Sequence, residues 1–369
     1  MKIANVVQVL PGKSGLYETT RECVCALRDR GHDARMVLSK DSSLAACPPI
    51  TLPASIVVSG TESNGEPYMD RGAPVAPDTW LAESDVIMSH SGLSSEHLDV
   101  SDGTPIIQLL HGAPDYGFRM ESLGGMRAYS SMQRVARGPY ADQWRAFVTF
   151  WAEHLPYWQV ILPADKLHVV PACVDLEAWE PGQVSDDYDW GGTPGKVNVV
   201  CTSSWRAGNV DILDVVTAFY HFAKDYGRGQ AKLHIYGNEV ATPGDAWTVL
   251  AESLREREML GEMAGWVSMH RLKKIYRAAK MMITPHCVAS RGVREALAMG
   301  CPVVAGLGCS AATQCADIRN PMSFARAMKR ALTAKTWVER DRAEKLFSPI
   351  KTAKGLLAIA EQVVMQEVC

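Results

Sequence analysis

The stretch Thr284-Pro-His-Cys-Val-Ala-Ser-Arg-Gly-Val-Arg-Glu-Ala-Leu-Ala-Met-Gly-Cys-Pro-Val-Val-Ala305 decides the fold. An apolar run, Met281–Pro285, reads as a buried strand and leads into a polar loop. The loop feeds a helix expected from near Val293 to Met299. Gly300 suits the left-handed turn that ends a helix, and Pro302–Ala305 is a second buried strand. At the start of such a helix, the backbone N–H groups of Gly292 and Val293 would face an anion, helped by the helix dipole. Glu295 falls in the first turn, where a carboxylate either complements the dipole or accepts hydrogen bonds from ribose hydroxyls. Taken alone, a charged first-turn residue is more often structural.

The same strand–helix alternation extends through the second half of the chain. Val197–Cys201, Lys232–Tyr236 and Met263–Val267 read as strands, and Val210–Asp225, Ala246–Leu260 and His270–Ala279 as helices. Met322–Lys335 and Ala353–Glu367 are further expected helices. The first half repeats the pattern. Ile3–Leu10 is a strand, Pro11-Gly-Lys-Ser-Gly15 a turn and Leu16–Arg30 a helix, with Gly31 ending it and His32–Leu38 the next strand. Short apolar runs at Ser55–Ser59, Asp85–Ser89, Pro105–Leu110, Ala146–Phe150 and His168–Val170 complete the set. Residues 181–196 are rich in turn formers and acids and read as a linker. The expected fold is α/β: two Rossmann-like, doubly wound parallel-sheet domains, residues 1–180 and 181–349, facing across a cleft. A last helix, about 350–369, is able to pack back on the first domain. Open α/β sheets bind ligands outside the carboxyl ends of their strands.

Composition excludes little but bounds the class. The 369 residues are enough for about two domains. A formal net charge of −3 gives no general pull toward nucleic acid or acidic membranes. The ten cysteines show no C-x-x-C spacing and read as reduced thiols, which with the lack of a visible signal peptide gives a cytoplasmic expectation. No apolar run approaches the ~20 residues of a membrane span. Asp186-Asp187-Tyr188-Asp189 reads as a solvated acidic loop, and no metal-ligand cluster is evident.

Two more segments bear on chemistry. Gly12-Lys-Ser14 ends like a phosphate-binding loop, but Val7 stands where that motif needs a glycine. What remains is a strand–turn–helix with Gly15 at the turn, followed by Tyr17 and Glu18; a plain tight turn and a ligand-approaching turn fit it equally. In Asn198–Gly208 a buried strand ends in Thr202-Ser-Ser204 followed by Trp205 and Arg206. An arginine at a strand's carboxyl end is placed to clamp a diphosphate bidentately, although taken alone a surface-loop arginine is the commoner reading.

Glu295-Ala-Leu-Ala-Met-Gly-Cys-Pro-Val-Val-Ala305 resembles the Glu-Ala-Met-Ala-x-Gly-x-Pro-Val-Val signature of retaining GT-B glycosyltransferases of the GT4-like group. Other segments match in order: Lys13–Glu18, Arg30–Val37, Asp85–His90, Ile106–Gly112, Val169–Asp175, Leu233–Gly237 and Gly265–Ser268. The resemblance spans nearly the whole chain. It implies a sugar moved from a nucleotide diphosphate, with a UDP-sugar as the expected co-substrate, no other cofactor and no metal. By the same resemblance His111 and Arg206 are the catalytic candidates. The donor would be held by Gly15, Arg206, Trp266 and Val267, and by His286, Arg291, Gly292, Val293 and Glu295. The acceptor would meet Tyr17, His90 and Arg119. One departure stands out: the family often carries a second glutamate eight positions before Glu295, where this chain has Cys287.

The implied chemistry passes through an oxocarbenium-like state while charge grows on the leaving diphosphate, which Arg206, Arg291 and the helix start would stabilise. For the acceptor, residues 112–160 interleave Arg119, Arg127, Arg134, Arg137 and Arg145 with Trp144, Trp151 and Trp158. Arginines and aromatics together suit a sugar or a flipped base, although nearby acids nearly cancel the charge. His111–Phe118 and Trp205-Arg206 resemble bacteriophage-encoded glycosyltransferases, some of which modify hydroxymethylated bases in DNA, so 5-hydroxymethylcytosine is one candidate acceptor. A glycan or small-molecule acceptor, a nucleotide-sugar-binding protein without transfer activity, and a GT-B-shaped epimerase or phosphorylase are the alternatives.

Overall fold

The computed structural model describes residues 1–7, 15–38, 56–58, 81–90, 103–111, 141–184, 187–190, 197–202, 210–226, 229–237, 246–265 and 267–368. The chain forms two compact units, Met1–Cys173 with Pro349–Cys369, and Val174–Ser348.

In the first unit the apolar runs become parallel strands β1 (Lys2–Val7), β2 (Asp33–Leu38), β3 (Ile56–Val58), β4 (Val86–Ser89), β5 (Ile106–Leu110), β6 (Trp144–Thr149) and β7 (Leu167–Val169). Their order is β3-β2-β1-β4-β5-β6-β7. The order reverses between β1 and β4, the doubly wound topology whose switch point is the usual ligand crevice. Side chains alternate between the sheet's faces. Ile3 and Val7, Val86 and Met88, and Ile107 and Leu109 share one core with α1 (Gly15–Arg28). Ala4, Val6, Ile87, Ile106, Leu110, Trp144 and Phe147 pack on the other side, with Trp158 of the short α2 (Leu155–Trp158).

The C-terminal helix completes the first of these cores. It runs Pro349–Val368 and, counted after the second unit's helices, is α9. Ala353, Leu356, Leu357, Ala360 and Val363 lie in the same cluster as Ile3 and Val24. Each large apolar side chain so buried contributes about 1.5–3 kcal/mol. A Cβ on Gly355 would sit 3.0 Å from Val170 Cγ1, so the glycine lets the helix backbone lie close to that residue. Thr352 donates from Oγ1 to the Pro171 carbonyl at 2.6 Å and fixes the register.

The second unit repeats the topology. Its strands are β8 (Val197–Cys201), β9 (Ala231–Tyr236), β10 (Leu260–Ala264), β11 (Met281–Ile283), β12 (Val303–Gly306) and β13 (Gln314–Ala316), in the order β10-β9-β8-β11-β12-β13. Its switch point lies between β8 and β11. One face is closed by α3 (Val210–Ala223), α4 (Ala246–Glu256) and α7 (Pro321–Ala331), through Phe219, Phe222, Leu254, Phe324 and Met328. The other carries α5 (Met269–Ala278) and α6 (Arg291–Ala298). Residue Tyr188, from the acidic segment, donates to Glu262 at 3.2 Å and accepts from Arg271 Nε at 3.0 Å, while Trp190 packs on His234. Asp187 and Asp189 remain exposed.

Three local departures have physical causes. The helix expected to reach Leu260 ends at Glu256, because Glu258 takes a left-handed φ of 57°, and β10 therefore starts three residues before the expected Met263. The key helix α6 starts at Arg291, two residues before Val293. Helix α8 (Thr336–Leu346) was not foreseen: Thr-Trp-Val-Glu-Arg-Asp-Arg-Ala-Glu-Lys-Leu has no continuous apolar stripe, and in it only Glu339 and Ala343 are buried. Its Arg340 explains its presence. The guanidinium donates from Nη1 to the carbonyls of Trp179 (2.7 Å) and Ala298 (3.0 Å), and from Nη2 to Leu176 (3.2 Å) and the Glu180 carboxylate (2.9 Å). It thus ties the end of α6 to the segment 176–180.

Replacing this fork is expected to be costly, since it would leave several carbonyls without a donor. Arg340→Ala should lower the urea unfolding free energy by about 2–4 kcal/mol, and Arg340→Lys should recover only part of it. A urea midpoint unchanged in Arg340→Ala would show that the fork is not holding α6.

Candidate functional site

Helix α6 is placed by three contacts at the carboxyl end of β8. A Cβ on Gly292 would lie 3.0 Å from Thr202 Oγ1, 3.2 Å from Met282 Cε and 3.4 Å from the Tyr276 hydroxyl. Thr202 Oγ1 and the Tyr276 hydroxyl are themselves 2.8 Å apart and hydrogen-bonded. Thr202 directly follows β8, and Met282 lies in β11, so the start of α6 sits at the switch point. The first backbone bond within the helix runs from Arg294 N–H to the Ser290 carbonyl at 3.1 Å. The N–H groups of Gly292 and Val293 therefore have no acceptor inside the helix. Ser290, the N-cap, makes no side-chain cap hydrogen bond. Such a helix start favours an anion.

The far end of α6 is closed by a Schellman turn. Cys301 N–H donates to the Ala296 carbonyl at 2.8 Å and Gly300 N–H to Leu297 at 2.9 Å. Gly300 has φ +75°, and a Cβ there would meet the Thr336 carbonyl at 2.9 Å, so the position needs glycine twice over. Val293 is fully buried and Glu295 is 5% exposed. Arg291 and Glu295, one turn apart, form an ion pair with Nε–Oε1 at 2.5 Å. The carboxylate is thus held at the helix's inner side with a cation on the turn before it.

The loop after β11 brings His286 and Cys287 beside β12. The His286 carbonyl accepts from Gly306 N–H at 2.9 Å. Burial lowers the His286 pKa to about 4, so the ring is neutral at physiological pH. Cys287 Sγ lies against Gly306, 2.8 Å from where a Cβ would stand, so the thiol is used in packing the loop. Val267 is half-buried just beyond β10, immediately before Ser268 caps α5. Arg206 and Trp266 lie outside the described residues.

In the first unit, a polar chain crosses the switch point. Oδ1 of Asn5, in β1, lies 3.1 Å from His90 Nε2, and His90 Nδ1 lies 3.0 Å from His111 Nε2. His90 directly follows β4 and His111 directly follows β5. Strand alternation puts all three on the face that carries Ile3, Met88 and Leu109. His90 is 2% exposed, and burial lowers its pKa to about 3. His111 is half-buried, its ring centroid 4.6 Å from that of Phe150. Gly15 is the first residue of α1 and Tyr17 lies in its first turn. Arg119 lies outside the described residues.

Sequence reasoning missed Asn5, Thr202 and Tyr276. Asn5 carried a signal, as a lone polar residue inside the apolar run Ile3–Val7. Thr202 was legible only as the polar end of a buried strand and Tyr276 carried no signal, since their importance comes from a contact between distant segments. Trp144 and Trp158 are each 3% exposed and belong to the core, so they do not form an aromatic surface with the arginines of residues 112–160. Among the described residues, no group of three or more His, Cys, Asp or Glu side chains could hold a metal ion, and no helix is long and apolar enough to cross a membrane.

The sequence matches no protein-family model and no curated protein. Solved structures match over its full length. HepE of Anabaena in complex with UDP superposes with a TM-score of 0.67 at 14% identity, covering 98% of this chain and 100% of that one. Sucrose-phosphate synthase of Thermosynechococcus elongatus gives 0.64 at 14% identity, covering 99% and 97%. A glycosyltransferase of Rickettsia africae gives 0.64 at 12% identity, covering 98% of each chain. At these identities the likeness is one of fold, and the fold is GT-B.

Two outcomes follow from this geometry. Gly292→Val places branched carbon against Thr202 and Met282, and should cost about 1–3 kcal/mol of stability by urea unfolding. A neutral cost would mean that the start of α6 has room to shift. The second outcome concerns His90, whose folded pKa of about 3 lies below the ordinary 6.5. Above that ordinary value neither state is protonated and folding is unaffected. As pH falls below it, the unfolded chain binds a proton that the folded chain refuses, so stability is lost at about 1.4 kcal/mol per pH unit until the folded pKa is reached. The unfolding free energy of His90→Asn should accordingly fall less steeply than wild type between about pH 6 and 4; equal slopes would show that His90 is not held neutral.

Proposed function

We propose that this chain is a glycosyltransferase that moves a sugar from a nucleotide diphosphate to an acceptor hydroxyl. The observation that carries the reading is the start of α6 at the β8–β11 switch point, where the first-turn N–H groups lie beside the Arg291–Glu295 ion pair. A diphosphate there would be met by the N–H groups of Gly292 and Val293 and by the cation of Arg291. Glu295 would offer its carboxylate to ribose hydroxyls. The fold supports this reading along the whole chain, and the HepE structures with UDP and with UDP-glucose support a UDP-sugar as the donor.

In the proposed reaction the anomeric configuration is retained and no metal takes part. Charge growing on the departing diphosphate is stabilised by fixed donors, namely the α6 start, Arg291 and Arg206. His111 would meet the sugar or acceptor from the first unit. Val267, with Trp266, would lie beside the base. With Cys287 turned into the loop packing, recognition of the donor sugar falls to other groups, among them His286.

For the acceptor we propose 5-hydroxymethylcytosine in DNA, on the resemblance of His111–Phe118 and Trp205-Arg206 to bacteriophage-encoded enzymes. The burial of Trp144 and Trp158 favours a competing reading, a glycan or small-molecule hydroxyl, because it removes two aromatic rings from the surface a base would stack on.

Calorimetric titration with UDP tests the donor half. Glu295→Ala should weaken UDP binding about 10–100-fold, equivalent to about 1.4–2.8 kcal/mol. Unchanged affinity would remove Glu295 from the nucleotide site. Mass spectrometry after incubation with mixed nucleotide sugars and a panel of acceptors, hydroxymethylcytosine DNA included, tests transfer. Donor binding without transfer or hydrolysis would favour a nucleotide-sugar-binding protein, and a mass gain only on glycans or small molecules would rule against DNA.

A further inference from the structure

We infer that His90 is a positioning residue: with Asn5 it holds His111 in the tautomer that is protonated on Nε2 and carries its lone pair on Nδ1. The Nε2 proton of His111 is thereby committed to His90, which fixes the orientation of the ring. The inference deepens the sugar-transfer reading and, for its catalytic consequence, rests on it.

The argument is one of donors and acceptors. Asn5 Oδ1 can only accept, so the 3.1 Å contact requires a proton on His90 Nε2. A neutral imidazole carries one proton, so His90 Nδ1 is an acceptor. The 3.0 Å contact to His111 Nε2 then requires His111 to donate from that nitrogen. Three polar groups on three neighbouring strands thereby assign one another's protons. Burial opposes charging His90, so the chain of roles holds through the neutral pH range.

The surroundings leave His90 little freedom. Its backbone N–H donates to the Val6 carbonyl at 2.8 Å. Gln108 Nε2 donates to the carbonyl of Ser89, the residue before it, at 2.9 Å, and to Leu109 at 3.1 Å. At 2% exposure His90 does not reach a ligand itself and acts through His111. The orientation of the Asn5 amide sets the direction of the chain. Turned over, it would donate from Nδ2, and His111 would carry its proton on Nδ1.

The test is two-bond proton–nitrogen NMR on the full chain with ¹⁵N-labelled histidine, using His111→Asn to assign the ring. The expected spectrum shows His111 and His90 each protonated on Nε2. Protonation of His111 on Nδ1 would overturn the inference whatever the protein's activity. For the catalytic consequence, His90→Phe keeps a ring of similar shape but offers no acceptor, and should lower kcat about 10–100-fold with the donor KM little changed. His90→Asn, whose amide oxygen stands near the Nδ1 position, should recover part of the loss. A folded His90→Phe protein with wild-type kcat would overturn the positioning role. If wild type transfers no sugar from any donor, the sugar-transfer reading fails instead, while the NMR result still decides the tautomer.

Discussion

The close approach of Gly292 to Thr202 is the contact on which the candidate site depends. Without a Cβ at residue 292, the first turn of α6 can settle against the carboxyl end of β8 and under the Tyr276 hydroxyl. That places the first-turn N–H groups of α6 where a doubly wound sheet opens its crevice. The other features of the unit maintain the position. The Schellman turn at Gly300 ends the helix after eight residues, and Arg340 takes up its last carbonyl. The buried Glu295 keeps Arg291 folded back along the helix. The anion-facing part of this site is backbone, and Cys287 serves in packing the neighbouring loop against Gly306.

The first unit solves a related problem with side chains. Its switch point is crossed by Asn5, His90 and His111, one group from each of three adjacent strands or their ends. Burying polar groups is unfavourable unless they bond to one another. Here the bonding partners are chosen so that a half-buried ring, His111, is oriented by a fully buried one. The C-terminal helix α9 contributes to the same layer of core beneath them, so residues at both chain ends hold this unit together.

Much of the architecture was legible in the chain. Strands buried on both faces read as continuous apolar runs, and glycine punctuates helix ends by a local conformational rule, as at Gly31 and Gly300. Where local signals were weak, the reading missed. Helix α8 buries few apolar groups and is kept by Arg340, a long-range hydrogen-bonding residue. The end of α4 was misplaced because Glu258 takes a left-handed conformation that glycine or asparagine would have announced.

The stretch 284–305 shows the division clearly. By itself the sequence determined a strand, a loop, a helix ended at Gly300 and a second strand, because each rests on local periodicity and backbone preference. It also determined which residues share a face, since side chains alternate along a strand. Which strands lie side by side was decided only by tertiary structure, through the crossovers that carry the chain over the sheet. Hence Glu295 and Gly292 could be singled out from the residues alone, while Thr202 and Tyr276 could not. The same holds for Asn5, His90 and His111, whose contacts span 21 and 85 residues of chain and exist only because β4 lies between β1 and β5.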